Sequence, residues 1–66
     1  SEMCIRDRFQ QAVLNLPLRQ RLVFNLRYYD GLSYAEIARI LQQREPTLRV
    51  NYHHAVEKLK QILREE

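Results

Sequence analysis

A single glycine, Gly31, and two prolines, Pro17 and Pro46, are the strong backbone breakers of this chain, and almost no serine or threonine accompanies them. Glycine and proline punctuate local structure, so a chain this poor in them turns rarely and runs in long helices. Strand-like alternation extends nowhere beyond a few residues. The fold class is therefore all-α, a small helical domain of about four helices without wing elements. At 66 residues there is room for one domain and none for a catalytic cleft between two. Cys4 has no second cysteine to pair with, and the Cys and His spacings match no zinc-site pattern. The longest run without a charge, Phe9 to Leu18, falls well short of the roughly 18 apolar residues of a membrane span. No signal-peptide pattern opens the chain, and the expected setting is soluble and cytoplasmic. Eleven Lys+Arg against eight Asp+Glu leave a net charge of +3. That excess permits a nucleic-acid partner without demanding one.

The opening Ser1-Glu2-Met3-Cys4-Ile5-Arg6-Asp7 shares no apolar periodicity with the rest of the chain and reads as a translated sequencing adapter. Residues 1–8 are expected to be such a scar or a frayed end, with residues 9–66 the functional domain; as a frayed helix start, Met3 and Ile5 would touch the core. Cys4 carries no functional weight in this reading. Phe9, Ala12, Val13 and Leu16 then mark one face of a first short helix, ended by Pro17. Leu18, Leu22, Val23, Leu26 and Tyr29 form the stripe of a second, with Asp30-Gly31 at its end. Ser33-Tyr34-Ala35-Glu36 has the spacing of a capping box, in which the hydroxyl accepts from a backbone N–H and the carboxylate reaches back. It starts a third helix carrying Ile37, Ala38, Ile40 and Leu41. Pro46 restarts the chain as a fourth and longest helix, about 18 residues, whose stripe is Leu48, Tyr52, Ala55, Leu59 and Ile62. Glu65-Glu66 opposes the helix dipole at its end.

A short capped helix, a tight turn and a longer helix with a polar outer face describe a helix-turn-helix. A major groove about 12 Å wide admits one α-helix if a second braces it from behind. Steps of 100° place Pro46, Val50, His53, His54 and Glu57 opposite the apolar stripe, with Thr47 and Arg49 flanking. Adjacent histidines diverge by the same 100°, whereas two ligands of one ion want i,i+4 spacing, so His53 and His54 argue against a metal site. No nucleophile, base and pocket converge, and neither catalysis nor a cofactor is expected. Tyr28-Tyr29 beside Leu26 reads as core and surface rim rather than as a base-stacking pair.

Three linked segments carry a family resemblance: Leu16-Pro17-x-x-Gln20-Arg21-x-Val23-Phe24-x-Leu26-Arg27-Tyr28, then Gly31-Leu32-Ser33-Tyr34-x-Glu36-Ile37-Ala38-x-Ile40-Leu41, then Thr47-Leu48-Arg49-x5-Ala55-x3-Leu59. Their order is similar to region 4 of bacterial RNA polymerase sigma factors, the small extracytoplasmic-function type in particular. Tyr52-His53-His54-Ala55-Val56 looks like the version in sigma factors of the Bacteroidetes kind. The resemblance implies promoter DNA and the RNA polymerase core as partners: the helix-turn-helix reads the minus-35 element and the domain docks on the β flap, in transcription initiation. An anti-sigma factor is a further expected partner, with no membrane contact and a monomer in isolation.

Laid on this chain, the resemblance puts Thr47 and Arg49 where the recognition helix faces DNA, with Arg49 the first candidate for a base or phosphate contact, or else a solvated helix arginine. Arginine binds guanine O6 and N7 with two donors, discrimination worth about 1–3 kcal/mol. Val50 shares that face, with His53 near the DNA backbone and His54 on the outer edge, or else both solvated. Asn51 stands where many relatives carry arginine, and asparagine still donates to phosphate or pairs with adenine. Arg44 replaces the usual capping serine and Gln42 a common turn glycine, so a looser turn is expected. Ser33 and Tyr34 sit for phosphate contacts at the start of the bracing helix, or else as a cap and a packing tyrosine. Two alternatives stay open: a LuxR-type regulator domain, whose shorter recognition helix is usually followed by another, and a protein-interaction module binding the polymerase flap or an anti-sigma factor without reading DNA.

Overall fold

The computed structural model describes the backbone of residues 2–64 and the side chains of residues 6–64. The expectations for Met3, Cys4 and Ile5 side chains and for Glu65-Glu66 lie outside the described residues. Helices α1 (Glu2–Leu14), α2 (Leu18–Phe24), α3 (Tyr34–Leu41) and α4 (Glu45–Arg64) occur in that order, with a π-helical turn over Asn25–Tyr29 closing α2. Among the described residues there is no strand, and no helix is long and apolar enough to cross a membrane. α1 starts well ahead of Phe9, so residues 2–8 are helical.

Each junction reflects local chemistry. Asn15 and Leu16 turn their N–H groups back onto Ala12 and Val13 carbonyls, each at 3.1 Å, and Pro17 takes φ −54°, ψ 150° ahead of α2. The Arg21 guanidinium donates to the Leu14 carbonyl at 3.2 Å, placing a cation on the negative end of α1. In the π turn Asp30 N–H reaches Asn25 O at 3.2 Å, and Leu32 N–H closes on Leu26 O at 3.1 Å past Gly31, whose φ of 67° favours glycine. Ser33 Oγ accepts from Glu36 N–H at 3.2 Å, as the capping box predicts. The other half of the box differs, because the Glu36 carboxylate accepts from the Ser33 hydroxyl itself, also at 3.2 Å.

Two apolar clusters hold the helices together. Ala12, Val13, Leu16, Phe24, Ala55 and Leu59 join α1, α2 and α4, while Val23, Ile37 and Leu48 join α2, α3 and α4. Side chains of the larger kinds contribute about 1.5–3 kcal/mol each when removed from water. Phe24 lies stacked with Tyr28 at 5.0 Å and with Tyr52 at 5.7 Å. The α2 stripe expected from sequence is corrected here: Leu18 is 60% and Leu22 39% exposed, and Tyr29 is also largely exposed. Because α2 serves both clusters, its inward arc is centred between the neighbours Val23 and Phe24 and takes in Gln20 and Arg27, all at helical spacing. Ile40 likewise falls off the inner face of α3, which is Tyr34, Ile37, Ala38 and Leu41.

Candidate nucleic-acid interface

Leu48 is wholly buried against Val23 and Ile37, which fixes the roll of α4 and turns its other side outward. Between α3 and α4 the chain turns through Gln42, Gln43 and Arg44. Gln42 adopts φ 56°, ψ 48°, and both its N–H and that of Gln43 point at the Ala38 carbonyl, the latter at 3.2 Å. This is the closure glycine usually makes at a helix end. The turn is therefore not loosened by the missing glycine; Gln42 takes the left-handed conformation at a cost of about 1–2 kcal/mol. Arg44 offers its carbonyl to Leu48 N–H at 3.1 Å, but its guanidinium has no acceptor with which to cap the helix.

Thr47, Arg49, Val50, His53 and His54 are exposed on α4, and Asn51 is half-buried. Arg44 and Ser33 are exposed near the two ends of the motif, and Tyr34 is half-buried behind it. Not all of these come together. The Arg49 guanidinium lies 5.0 Å from the centre of the Tyr34 ring and 3.5 Å from Glu45 Oε1, one turn earlier on α4. Arg27, from the π turn, lies 4.8 Å from the same ring and donates to the Leu32 carbonyl at 3.0 Å. Tyr34 in turn meets Tyr52 edge-on at 6.4 Å. The exposed ion pair is worth about 0.3–0.5 kcal/mol and each cation–π contact about 0.5–1 kcal/mol, so the guanidinium is oriented rather than locked.

His54 departs from this cluster, lining a groove with Pro17, Gln20 and Lys58 on the α2 flank. Its ring sits 6.2 Å from that of His53 and tilted to it. Among the described residues no three His, Cys, Asp or Glu side chains gather as metal ligands. Sequence reasoning missed Arg27 and Glu45. The i,i+4 spacing of Glu45 and Arg49 was a readable signal, whereas Arg27 comes inward only because α2 is shared between two clusters.

A second surface lies beside the aromatic cluster. Phe9, Tyr28, Val56 and Leu63 wall an apolar groove floored by Phe24 and Tyr52. Tyr28 is more than half exposed at its edge, stacked on Phe24, which is the rim position expected for it. Burial raises the Tyr29 phenol above its ordinary pKa, with a smaller push from Tyr28. α4 runs as one helix from Glu45 to Arg64, longer than the short recognition helix expected of the LuxR type.

The family model described as sigma-70, region 4 matches residues 6–59, which includes the helix-turn-helix and the helices that brace it. The ECF RNA polymerase sigma factor SigW of Bacillus subtilis (strain 168) is 36% identical over 61 residues, covering 92% of this chain and 33% of that protein. The chain thus spans about a third of the length of this curated relative. No solved structure matches it. With a match across most of its length, the chain belongs to the sigma-70 region 4 family.

Proposed function

We propose that this domain reads the minus-35 element of promoter DNA as the region 4 part of a sigma factor and so directs RNA polymerase in transcription initiation, with no catalysis of its own. The observation that carries the reading is the exposed outer face of the first half of α4, set by a buried Leu48, in a chain of this family. Arg49 supplies a base or phosphate contact, Thr47 and Val50 line the same approach, and His53 lies near the DNA backbone. Arg44, Ser33 and Asn51 serve the phosphates on either side, and His54 lies at the outer edge of the site. The working unit is residues 9–66, acting in the cytoplasm.

Selection of bound duplexes from a randomised DNA pool at low salt tests this, with Arg49→Ala in parallel and anisotropy at two salt concentrations. Enrichment of one short motif, relaxed at a single position in the variant, is the expected result. Affinity should also fall steeply with salt as counterions return to the phosphates. Failure to enrich any motif, together with salt-independent behaviour, would sink the reading.

The apolar groove at Phe9, Tyr28, Val56 and Leu63 favours a protein-docking role beside DNA reading. In this reading the RNA polymerase β flap, or an anti-sigma factor competing with it, covers the groove. Tyr28→Glu should then weaken capture by polymerase core while leaving DNA affinity within about two-fold, because the groove is built from α1, the π turn and the later part of α4.

A further inference from the structure

Resting on the DNA-reading role of Arg49, we infer that Tyr34 is a positioning residue for that arginine: its ring is a platform that aims the guanidinium, and Arg27 steadies the platform. A guanidinium is planar, and its N–H donors lie in the plane. A ring beneath the guanidinium offers it no lone pair, so the Tyr34 contact at 5.0 Å leaves the N–H donors available for two hydrogen bonds to guanine. The contact with Glu45 at 3.5 Å engages the edge instead and competes with the base for the same donors. Tyr34 is suited to the task because it is itself held. Its ring packs against the Val23, Ile37 and Leu48 cluster and meets Tyr52 edge-on. Arg27 lies 4.8 Å from the ring and is tied to the Leu32 carbonyl. The role thus belongs to the face of the ring, not to its hydroxyl.

Two measurements test this, one of them independent of DNA. In the free protein, proton NMR should find the Arg49 side-chain resonances moved upfield by the ring current in wild type and in Tyr34→Phe. They should return to ordinary positions in Tyr34→Leu and in Tyr34→Met, either of which serves if the other fails to fold; circular dichroism checks that. Absence of the upfield shift in wild type overturns the inference. On the selected duplex and its single-base variants, Tyr34→Leu should lose about two- to five-fold in discrimination, the worth of a solvent-facing cation–π contact, at the base pair that Arg49→Ala relaxes. Tyr34→Phe should keep it, and the double variant Tyr34→Leu/Arg49→Ala should be no worse than Arg49→Ala alone. Additive losses overturn the inference. So does an equal loss in Tyr34→Phe with a shallower salt slope, which would make the hydroxyl a phosphate contact. If wild type selects no motif while its ring-current shift is present, the DNA-reading role has failed and the positioning role falls with it; a missing shift beside intact selection sinks the positioning role alone.

Discussion

The two ends of the domain are closed in different ways. Around the helix-turn-helix, Val23, Ile37 and Leu48 are fully buried aliphatic residues drawn from α2, α3 and α4, one from each. Around α1, the core is broader and aromatic, with Phe24 stacked with Tyr28 and Tyr52 and also in contact with Phe9. The helix-turn-helix end thus centres on three wholly buried aliphatic side chains, with Leu26, Leu32, Tyr34, Ala38, Leu41 and Tyr52 packed around them, so a defect at that centre acts directly on the seating of α4. The other end spreads its burial over many groups and leaves part of that aromatic surface open. A domain proposed to present a helix at one end and to dock a protein at the other is served by this asymmetry.

Truncation is the strongest way to break the comparison. Ile37→Ala should cost about 2–5 kcal/mol in urea unfolding, as for other fully buried aliphatic residues. Val13→Ala, in the broader cluster, should cost less than the equal-sized truncation Val23→Ala; an equal loss would remove the difference between the two ends. Removing the cap of α3 by Ser33→Ala should lower stability by about 1 kcal/mol in the same assay, since the Glu36 N–H loses its acceptor. The strained turn sharpens the comparison in the other direction. Gln42→Gly should raise stability by about 1 kcal/mol, read as a melting-temperature rise of about 4–8 °C. Next, Glu45→Gln should tighten duplex binding about two-fold at low salt by freeing the Arg49 donors, with little change in melting temperature. The smallest effect belongs to Tyr29 at the broad end. Its folded-state pKa is raised above the ordinary value of about 10, so its contribution is complete below that pH and is lost as pH rises through the raised value. Tyr29→Phe should flatten that part of the alkaline stability profile.

Most of the fold was legible because local chemistry and tertiary packing agree. Pro17, Gly31, the Ser33 cap and Pro46 mark the boundaries of helices where the structure has them. The stripe of α4 was also readable, since Leu48, Ala55 and Leu59 face a single direction. The errors came where one element answers to two neighbours. A periodicity count assigns α2 one buried face, yet Val23 and Phe24 point into different clusters, which leaves Leu18 and Leu22 outside. The π turn has no composition of its own and was invisible for the same reason. At the candidate site, exposure of Thr47, Arg49, Val50 and His53 was deducible from spacing alone. The Tyr34 contacts were not, because Arg27 and Arg49 are brought to one ring only by the packing of three elements.

Tyr52 packs against both clusters and stacks on Phe24 while touching Tyr34. A residue common to two cores prevents either from melting alone, so the domain should lose its structure as one cooperative unit, with calorimetric and van't Hoff enthalpies in agreement. Hydrogen exchange should correspondingly show the middle of α4, not its ends, opening only with the whole molecule. The long helix is in that sense a shared spine, and whatever stabilises one end of the domain also lengthens the lifetime of the other.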